Sequence, residues 1–183
     1  MPQLEGGNRV LTLSQRKFCG DGNITGFESM LWKVPIVIAT KGNPQAASLV
    51  LTEQSTTVTL EGVGEGDWVL VNPERVGFYR VSYSSELFQS LTPALTSHTL
   101  SPRDRLGLQN DAFAMARSGV GSTVDVLALF ASYSTETRYT VWESLAGNLA
   151  TISRLLSHTQ YYPSFKAYAQ KIFEKAVASG TFV

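Results

Sequence analysis

The two histidines are the first side chains to consider for metal chemistry. A catalytic zinc needs three protein ligands and an open fourth position, and two ligands usually come from one helix at a spacing of four residues. His98 and His158 are far apart, and the 183 residues contain no His-Glu-x-x-His sequence. We therefore expect no metal ligand and no catalytic residue in this chain. Both histidines lie near predicted helix ends, where an imidazolium offsets the negative helix terminus; a ligand or base role is the alternative.

Cys19 and two glycine-rich stretches suggest other chemistry, but each has a simpler explanation. An activated thiol at Cys19, downstream of Arg16 and Lys17, is one interpretation. A half-buried structural cysteine is favoured because no histidine is near in sequence. The stretches at 62–64 and 119–121 resemble phosphate loops, but the first lacks a following helix and the second lacks the required lysine, so we interpret both as turns.

Four charged residues form the candidate site, as possible interdomain contacts: Arg80, Asp104, Arg105 and Asp111. The last three lie on one predicted helix, whereas Arg80 interrupts an otherwise apolar predicted strand. A solvated helix face with local ion pairs is one interpretation. The other is that these charges hold the β part of the chain to its helices or to a further domain. The sequence identifies no substrate-binding residue.

The elements that carry these residues fall into two modules. Residues 9–83 contain short Thr/Val-rich segments with alternating apolar residues and Pro/Gly turns, which predict an antiparallel β-sandwich. Pro35 predicts an edge position or a bulge, and residues 1–8 predict a disordered start. The six predicted strands are 9–18, 31–40, 47–52, 56–60, 68–72 and 78–83.

Residues 84–183 change to helical periodicity and predict an α-helical array of HEAT/armadillo-like pairs. Ser101 and Ser122 are predicted N-caps, and the apolar spacing over 139–156 predicts the most regular helix. A further helix follows Pro163. Two pairs are fewer than such an array needs. We therefore expect a truncated array whose last helix exposes Phe and Ile side chains.

Composition excludes several classes of partner. Fifteen basic residues balance fifteen acidic ones, so we expect neither nucleic-acid nor membrane binding. No stretch approaches the roughly 18 apolar residues of a membrane span, and the start has neither the basic flank nor the apolar run of a signal peptide. Cys19 is the only cysteine, which fits a reducing compartment. We expect a cytoplasmic protein.

Several motifs together resemble the zinc aminopeptidases of the gluzincin class. They are Trp-Val-Leu-Val-Asn-Pro at 68–73, Gly-Phe-Tyr-Arg-Val at 77–81 and Asp-Arg-Leu-Gly-Leu-Gln-Asn-Asp-Ala-Phe at 104–113. Weaker agreement at 11–18, 32–36, 139–142 and 155–159 extends the resemblance over about residues 9–175. The resemblance implies a chain order of sheet domain, thermolysin-like zinc domain, β-sandwich and helical array. Residues 9–83 would match the sandwich without its first strand, and residues 84–178 the start of the array.

The same resemblance predicts what the chain does. The family binds zinc through His-Glu-x-x-His and a later glutamate, and the substrate amino terminus through a Gly-x-Met-Glu-Asn loop; the 183 residues contain neither motif. We expect a non-catalytic fragment or truncated form of a cytosolic zinc aminopeptidase, without zinc of its own. Its expected partner is the missing catalytic domain or the full-length enzyme. A free-standing protein-interaction module is the alternative, and an enzyme using an unforeseen site is a third hypothesis.

Overall fold

The computed structural model describes residues 3–5, 7–64 and 66–178, with side chains from residue 7 onward except that of residue 176. The first part of the chain forms two three-stranded antiparallel sheets, in the orders β1-β2-β5 and β4-β3-β6. The strands are β1 (Gln3–Glu5), β2 (Asn8–Ser14), β3 (Val34–Thr40), β4 (Ala47–Leu51), β5 (Ser55–Leu60) and β6 (Val69–Val71).

The register of the strands explains why a proline is tolerated in β3. Pro35 lies opposite Val50 of β4, whereas β6 pairs only with the stretch from Ile38 to Thr40. Among the described residues, β3 therefore has a partner strand on one side only at Pro35. A residue without an N–H is accepted at such an edge position, as the sequence predicts.

One hydrophobic cluster joins the two sheets. Leu11 and Leu60 come from the first sheet, and Ile38 and Val69 from the second; all four are buried. Burial of each such side chain stabilises the fold by about 1.5–3 kcal/mol. The coarse prediction of an antiparallel β module is thus confirmed.

Two predictions about the β module are wrong. Gln3–Glu5 pairs with β2 and Asn8 begins β2, where the sequence predicts a disordered start over 1–8; residues 1, 2 and 6 lie outside the described part. The predicted strand 78–83 has no ladder partner among the described residues. Tyr79 of this segment instead packs against the hydrophobic cluster of the sheets, and the Tyr83 hydroxyl accepts a hydrogen bond from Val71 N–H. The predicted lack of the sandwich's first strand, and the division at 83/84, stay predictions.

In the described part of the chain, five α-helices follow the sheets: α1 (Ser85–Thr96), α2 (Pro102–Arg117), α3 (Thr123–Ala131), α4 (Tyr139–Leu156) and α5 (Tyr162–Ala178). The hydroxyls of Ser84, Ser101 and Ser122 accept hydrogen bonds from backbone N–H groups in the first turns of α1, α2 and α3. These bonds satisfy donors that a helix start otherwise leaves unpaired. The two predicted N-caps are therefore confirmed. Short 3₁₀ turns lie at Pro73–Arg75 and Ser132–Thr135.

The helices pack around a second hydrophobic cluster. Phe130, Tyr133, Trp142 and Leu145 are its most deeply buried large side chains. Phe165 and Ile172 of α5 are also buried in it, so the expectation that the last helix leaves its Phe and Ile side chains uncovered is wrong for these residues. The cluster extends into the sheets, because it includes the following residues of β3 and β6: Ala39 and Leu70.

Among the described helices, none combines the length and apolar character needed to cross a bilayer.

Candidate functional site

The connection between β6 and α1 has an unusual backbone. Asn72, Glu74 and Arg75 have φ angles of 62°, 57° and 57°, in the left-handed region that costs a residue with a Cβ about 1–3 kcal/mol. Surrounding contacts hold this turn in place. The buried Asn72 side chain accepts a hydrogen bond from Gly77 N–H at 2.7 Å and donates one to Gly77 C=O at 2.9 Å. The turn is thereby closed by a single side chain.

Asp104, in the first turn of α2, holds the same connection from the helix side. Its Oδ1 accepts a hydrogen bond from Glu74 N–H at 2.6 Å, and its Oδ2 accepts one from the Ser101 hydroxyl at 2.9 Å. Burial raises the pKa of Asp104, and the hydrogen bonds from Ser101 and Glu74 oppose that rise. This one carboxyl group therefore links the start of α2 to a backbone N–H of the strained turn.

Asp111, two turns further along α2, binds three groups. Arg75 Nη1 donates to its Oδ2 at 2.5 Å, Arg80 Nη1 donates to its Oδ1 at 3.1 Å, and Val81 N–H donates to its Oδ2 at 2.9 Å. The Asp111 side chain is only 3% exposed. Hydrogen bonds to a charged group are about twice as strong as neutral ones. We call Asn72, Arg75, Arg80, Asp104 and Asp111 the junction cluster, because it joins the end of the sheets to α2.

Gly107 gives Arg75 room to reach Asp111. A Cβ added at Gly107 would overlap Cδ and Nε of Arg75. Glycine in a helix interior is about 0.5–1 kcal/mol less stable than alanine. Gly107 thus makes α2 less stable than alanine would, but it leaves space for Arg75 of the turn to bind Asp111.

Gly107→Ala is expected to lower the free energy of unfolding by about 1–2 kcal/mol, because the displaced Arg75 loses its bond to Asp111 by more than alanine gains in helix propensity. In the Arg75→Ala background the sign should reverse, since the overlapping side chain is gone. Urea denaturation of the four proteins measures both effects. A loss of equal size in both backgrounds would contradict this role of Gly107.

A second buried ion pair lies within the helices. Arg105 Nε and Nη2 donate to the two carboxylate oxygens of Glu136 at 2.6 and 2.8 Å, and Arg105 Nη1 donates to Leu100 C=O at 2.6 Å. Glu136 also accepts the backbone N–H groups of Thr137 and Arg138, both at 2.9 Å, just before α4. This pair fixes the approach to α4 against α2.

The pKa of Glu136 is a balance of opposing effects. Burial alone would raise the pKa, but the hydrogen bonds from Arg105 and from the N–H groups of Arg138 and Thr137 lower it below the ordinary value of 4.5. A carboxyl group with a lowered folded-state pKa stabilises the protein above its unfolded pKa. That stability is lost as the pH falls through the folded pKa.

We therefore expect the free energy of unfolding to fall as the pH is lowered below about 4.5, and Glu136→Gln should reduce this slope. Urea denaturation between pH 7 and pH 3.5 measures it. Glu143→Gln is the matched control, because Glu143 is exposed on α4. The same slope in wild type and Glu136→Gln would show that Glu136 does not contribute to the acid sensitivity.

The structure brings together three of the four candidate charges. Arg80, Asp104 and Asp111 lie in the junction cluster, whereas the described side-chain bonds of Arg105 stay within the helical region. The role of these residues as contacts to a further domain stays a prediction. Sequence reasoning missed Arg75. Its signal was the Asn-Pro turn just before it, which marks a chain reversal next to the predicted helix.

The two histidines and the cysteine belong neither to the junction cluster nor to the ion pair of Arg105 and Glu136. His98 and His158 follow the ends of α1 and α4, as predicted, and Cys19 is half-buried. Within residues 3–5, 7–64 and 66–178, no group of three His, Cys, Asp or Glu side chains could hold a metal ion.

Comparisons with known proteins agree with the motifs. The family described as ERAP1-like C-terminal domain matches residues 68–182. The puromycin-sensitive aminopeptidase of Caenorhabditis elegans is 35% identical over 180 residues, or 95% of this chain and 19% of the relative. Aminopeptidase M1-A of Oryza sativa is 33% identical over 115 residues, which cover 60% of this chain and 13% of the relative. Aminopeptidase 2, mitochondrial, of Saccharomyces cerevisiae is 29% identical over 177 residues, which cover 96% of this chain and 18% of the relative. The chain thus spans less than a fifth of the length of these relatives. It belongs to the aminopeptidase family that carries the ERAP1-like C-terminal domain.

Proposed function

We propose that this chain is a non-catalytic part of a cytosolic zinc aminopeptidase, an enzyme that releases amino-terminal residues from peptides. Its two sheets would be the β-sandwich of that enzyme, and its helices the first part of a HEAT-like array that covers the active site and limits entry to peptides. The zinc would belong to the catalytic domain, which is the expected partner. The family match and the absence of a His-Glu-x-x-His sequence from these 183 residues support this proposal.

The junction cluster carries the proposal. A helical cover can limit entry only if its orientation is fixed, and Asp104 and Asp111 bind the connection from the sheets at several points. Several charged hydrogen bonds at one place resist rotation better than a single linker peptide does. The cluster would thus set the angle between the sandwich and the cover.

A chimera tests this proposal. We would replace the 180 aligned residues of the C. elegans puromycin-sensitive aminopeptidase with this chain, then measure zinc content and release of a fluorophore from an aminoacyl substrate. The chimera is expected to be active and the 183-residue chain to be inactive. Asp111→Ala in the chimera should lower kcat/KM without changing the zinc content, whereas Asp125→Ala, at an exposed position on α3, should change neither.

Two results would overturn the proposal. One is that the isolated chain binds one equivalent of zinc and trims peptides. The other is that the chimera binds zinc but has no activity, because the chain would then not replace the corresponding part of the relative.

A free-standing interaction module is the second candidate. It is favoured by the exposure of two large apolar side chains on the connection, Val76 at 86% and Phe78 at 109%, since such side chains are often covered by a partner. Gel filtration of the purified chain with light scattering, followed by recovery of a partner other than an aminopeptidase, would favour this candidate over the first.

A further inference from the structure

β4 lies at an edge of the second sheet and has an exposed apolar side chain. Its one ladder partner among the described residues is β3, with Pro35 opposite Val50. Val50 is 58% exposed, and no other large apolar side chain described on the strands is comparably open. Such an edge is a template on which a further strand can pair.

The neighbouring ladder shows which backbone groups of β4 are free. Asn72 N–H donates to Val37 C=O at 2.9 Å, so the backbone groups of Val37 face β6. In an antiparallel pair, successive residues direct these groups to opposite edges. The residue before Val37 therefore faces β4, where it lies opposite Leu49. It follows that the N–H and C=O groups of Ser48 and Val50 point away from β3, to a side where the described residues supply no backbone partner.

This edge lacks the charges that usually keep a strand from pairing with its own copy. Natural edge strands are often protected by lysine or by other charged side chains. From residue 42 to residue 60, a stretch that includes β4 and β5, Glu53 is the one charged residue. An uncharged edge offers nothing to select an oppositely charged partner, and it does not repel an identical strand.

β4 is also complementary to itself in one antiparallel register. When the pair is centred on Leu49, Ser48 of each copy lies opposite Val50 of the other, and each such pair exchanges both of its backbone hydrogen bonds. Leu49 then lies opposite Leu49 of the second copy. Because Leu49 packs against the hydrophobic cluster of the sheets, the clusters of the two copies become continuous across the axis.

We propose that two copies of this chain associate by antiparallel pairing of β4 with β4. The sheets β4-β3-β6 of the two copies then form one six-stranded sheet. The contact is small, since it consists of a few backbone hydrogen bonds and the burial of Val50 and Leu49. Interfaces of this kind are weak and reversible. The proposal does not rest on the proposed function, because it uses only the edge of the sheet.

Analytical ultracentrifugation of the 183-residue chain tests the proposal. Over a hundredfold range of concentration that reaches the millimolar range, wild type is expected to change from monomer to dimer. Val50→Lys should raise the dissociation constant at least tenfold, because it places two ammonium groups beside the shared edge. Val124→Lys, at an exposed position on α3, is the matched control and should dimerise as wild type does. Circular dichroism checks that both variants are folded.

A disulfide tests the register independently. In a Cys19→Ser background, Leu49→Cys is expected to form a covalent dimer on oxidation with diamide. The reason is that opposite residues at a non-hydrogen-bonded position have Cα atoms about 4.5 Å apart, within the range that a disulfide spans. Val124→Cys in the same background is the control, and it should stay monomeric.

Three outcomes would overturn the proposal. The first is a wild-type chain that stays monomeric over the whole concentration range. The second is a dimer that Val50→Lys and Val124→Lys weaken equally or leave unchanged, since another surface would then form it. The third is equal cross-linking at positions 49 and 124, which would indicate random collision. None of these measurements involves zinc or peptidase activity, so this inference and the proposed function can fail separately.

Discussion

Arg105→Ala is expected to lower the free energy of unfolding by about 3–5 kcal/mol, which is the usual effect of removing one partner from a buried ion pair. The Arg105 and Glu136 side chains are 4% and 1% exposed. Without Arg105, the Glu136 carboxylate keeps the two backbone N–H groups of Thr137 and Arg138 but loses its counter-charge. The C=O of Leu100 loses a donor as well. Chemical denaturation at pH 7 measures the loss.

Two comparisons show whether the loss comes from the ion pair. Arg103→Ala, which removes a largely exposed neighbour 4.0 Å from Glu74, should change stability by less than about 0.5 kcal/mol. The double replacement Arg105→Met with Glu136→Leu should lose less than Arg105→Ala alone, because no unpaired charge remains. If the double variant is the less stable one, packing rather than charge compensation explains the effect.

Asp111→Ala is expected to lower the free energy of unfolding by about 2–4 kcal/mol, since hydrogen bonds to a charged group contribute about 1.5–3 kcal/mol each and solvent screens part of this. Arg75 and Arg80 are 24% and 40% exposed at their side chains, so water replaces some of what they lose. Val81 N–H is less able to find a new partner. Thermal and urea denaturation measure the loss.

Asp125→Ala is the matched control for Asp111, because it removes an exposed carboxylate near the start of the next helix. It should cost less than about 0.5 kcal/mol. Arg80→Ala should cost less than Asp111→Ala, because Arg75 and Val81 still bind the carboxylate. An equal loss in Asp111→Ala and Asp125→Ala would mean that the junction cluster does not stabilise the fold.

The helical part of the fold could be predicted from local features. The periodic apolar residues over 139–156 coincide with α4, and the serine caps of α2 and α3 act as expected. Helix signals depend on residues three or four positions apart, so they are visible in one short stretch. The strand signals were less complete. β1 consists of only three residues and has no apolar alternation to detect.

The candidate site was harder to predict because its partners are distant in sequence. Asp111 was chosen as a charged residue on an amphipathic helix, but its contact with Arg75 joins residues 36 positions apart. Glu136 was missed because it belongs to neither a periodic helix nor a known motif. The strand prediction at 78–83 identified the alternation of burial correctly, but the chain bends at residues 77–79 and alternation does not require a partner strand.

The hydrophobic cluster of the helices includes Ala39 of β3 and Leu70 of β6, with Trp68 packed beside them. Cleaving the chain between residues 83 and 84 would consequently expose part of the helical interior on one product and leave apolar sheet residues in water on the other. A cut at this position, where the sequence periodicity changes, would therefore separate apolar side chains that pack together.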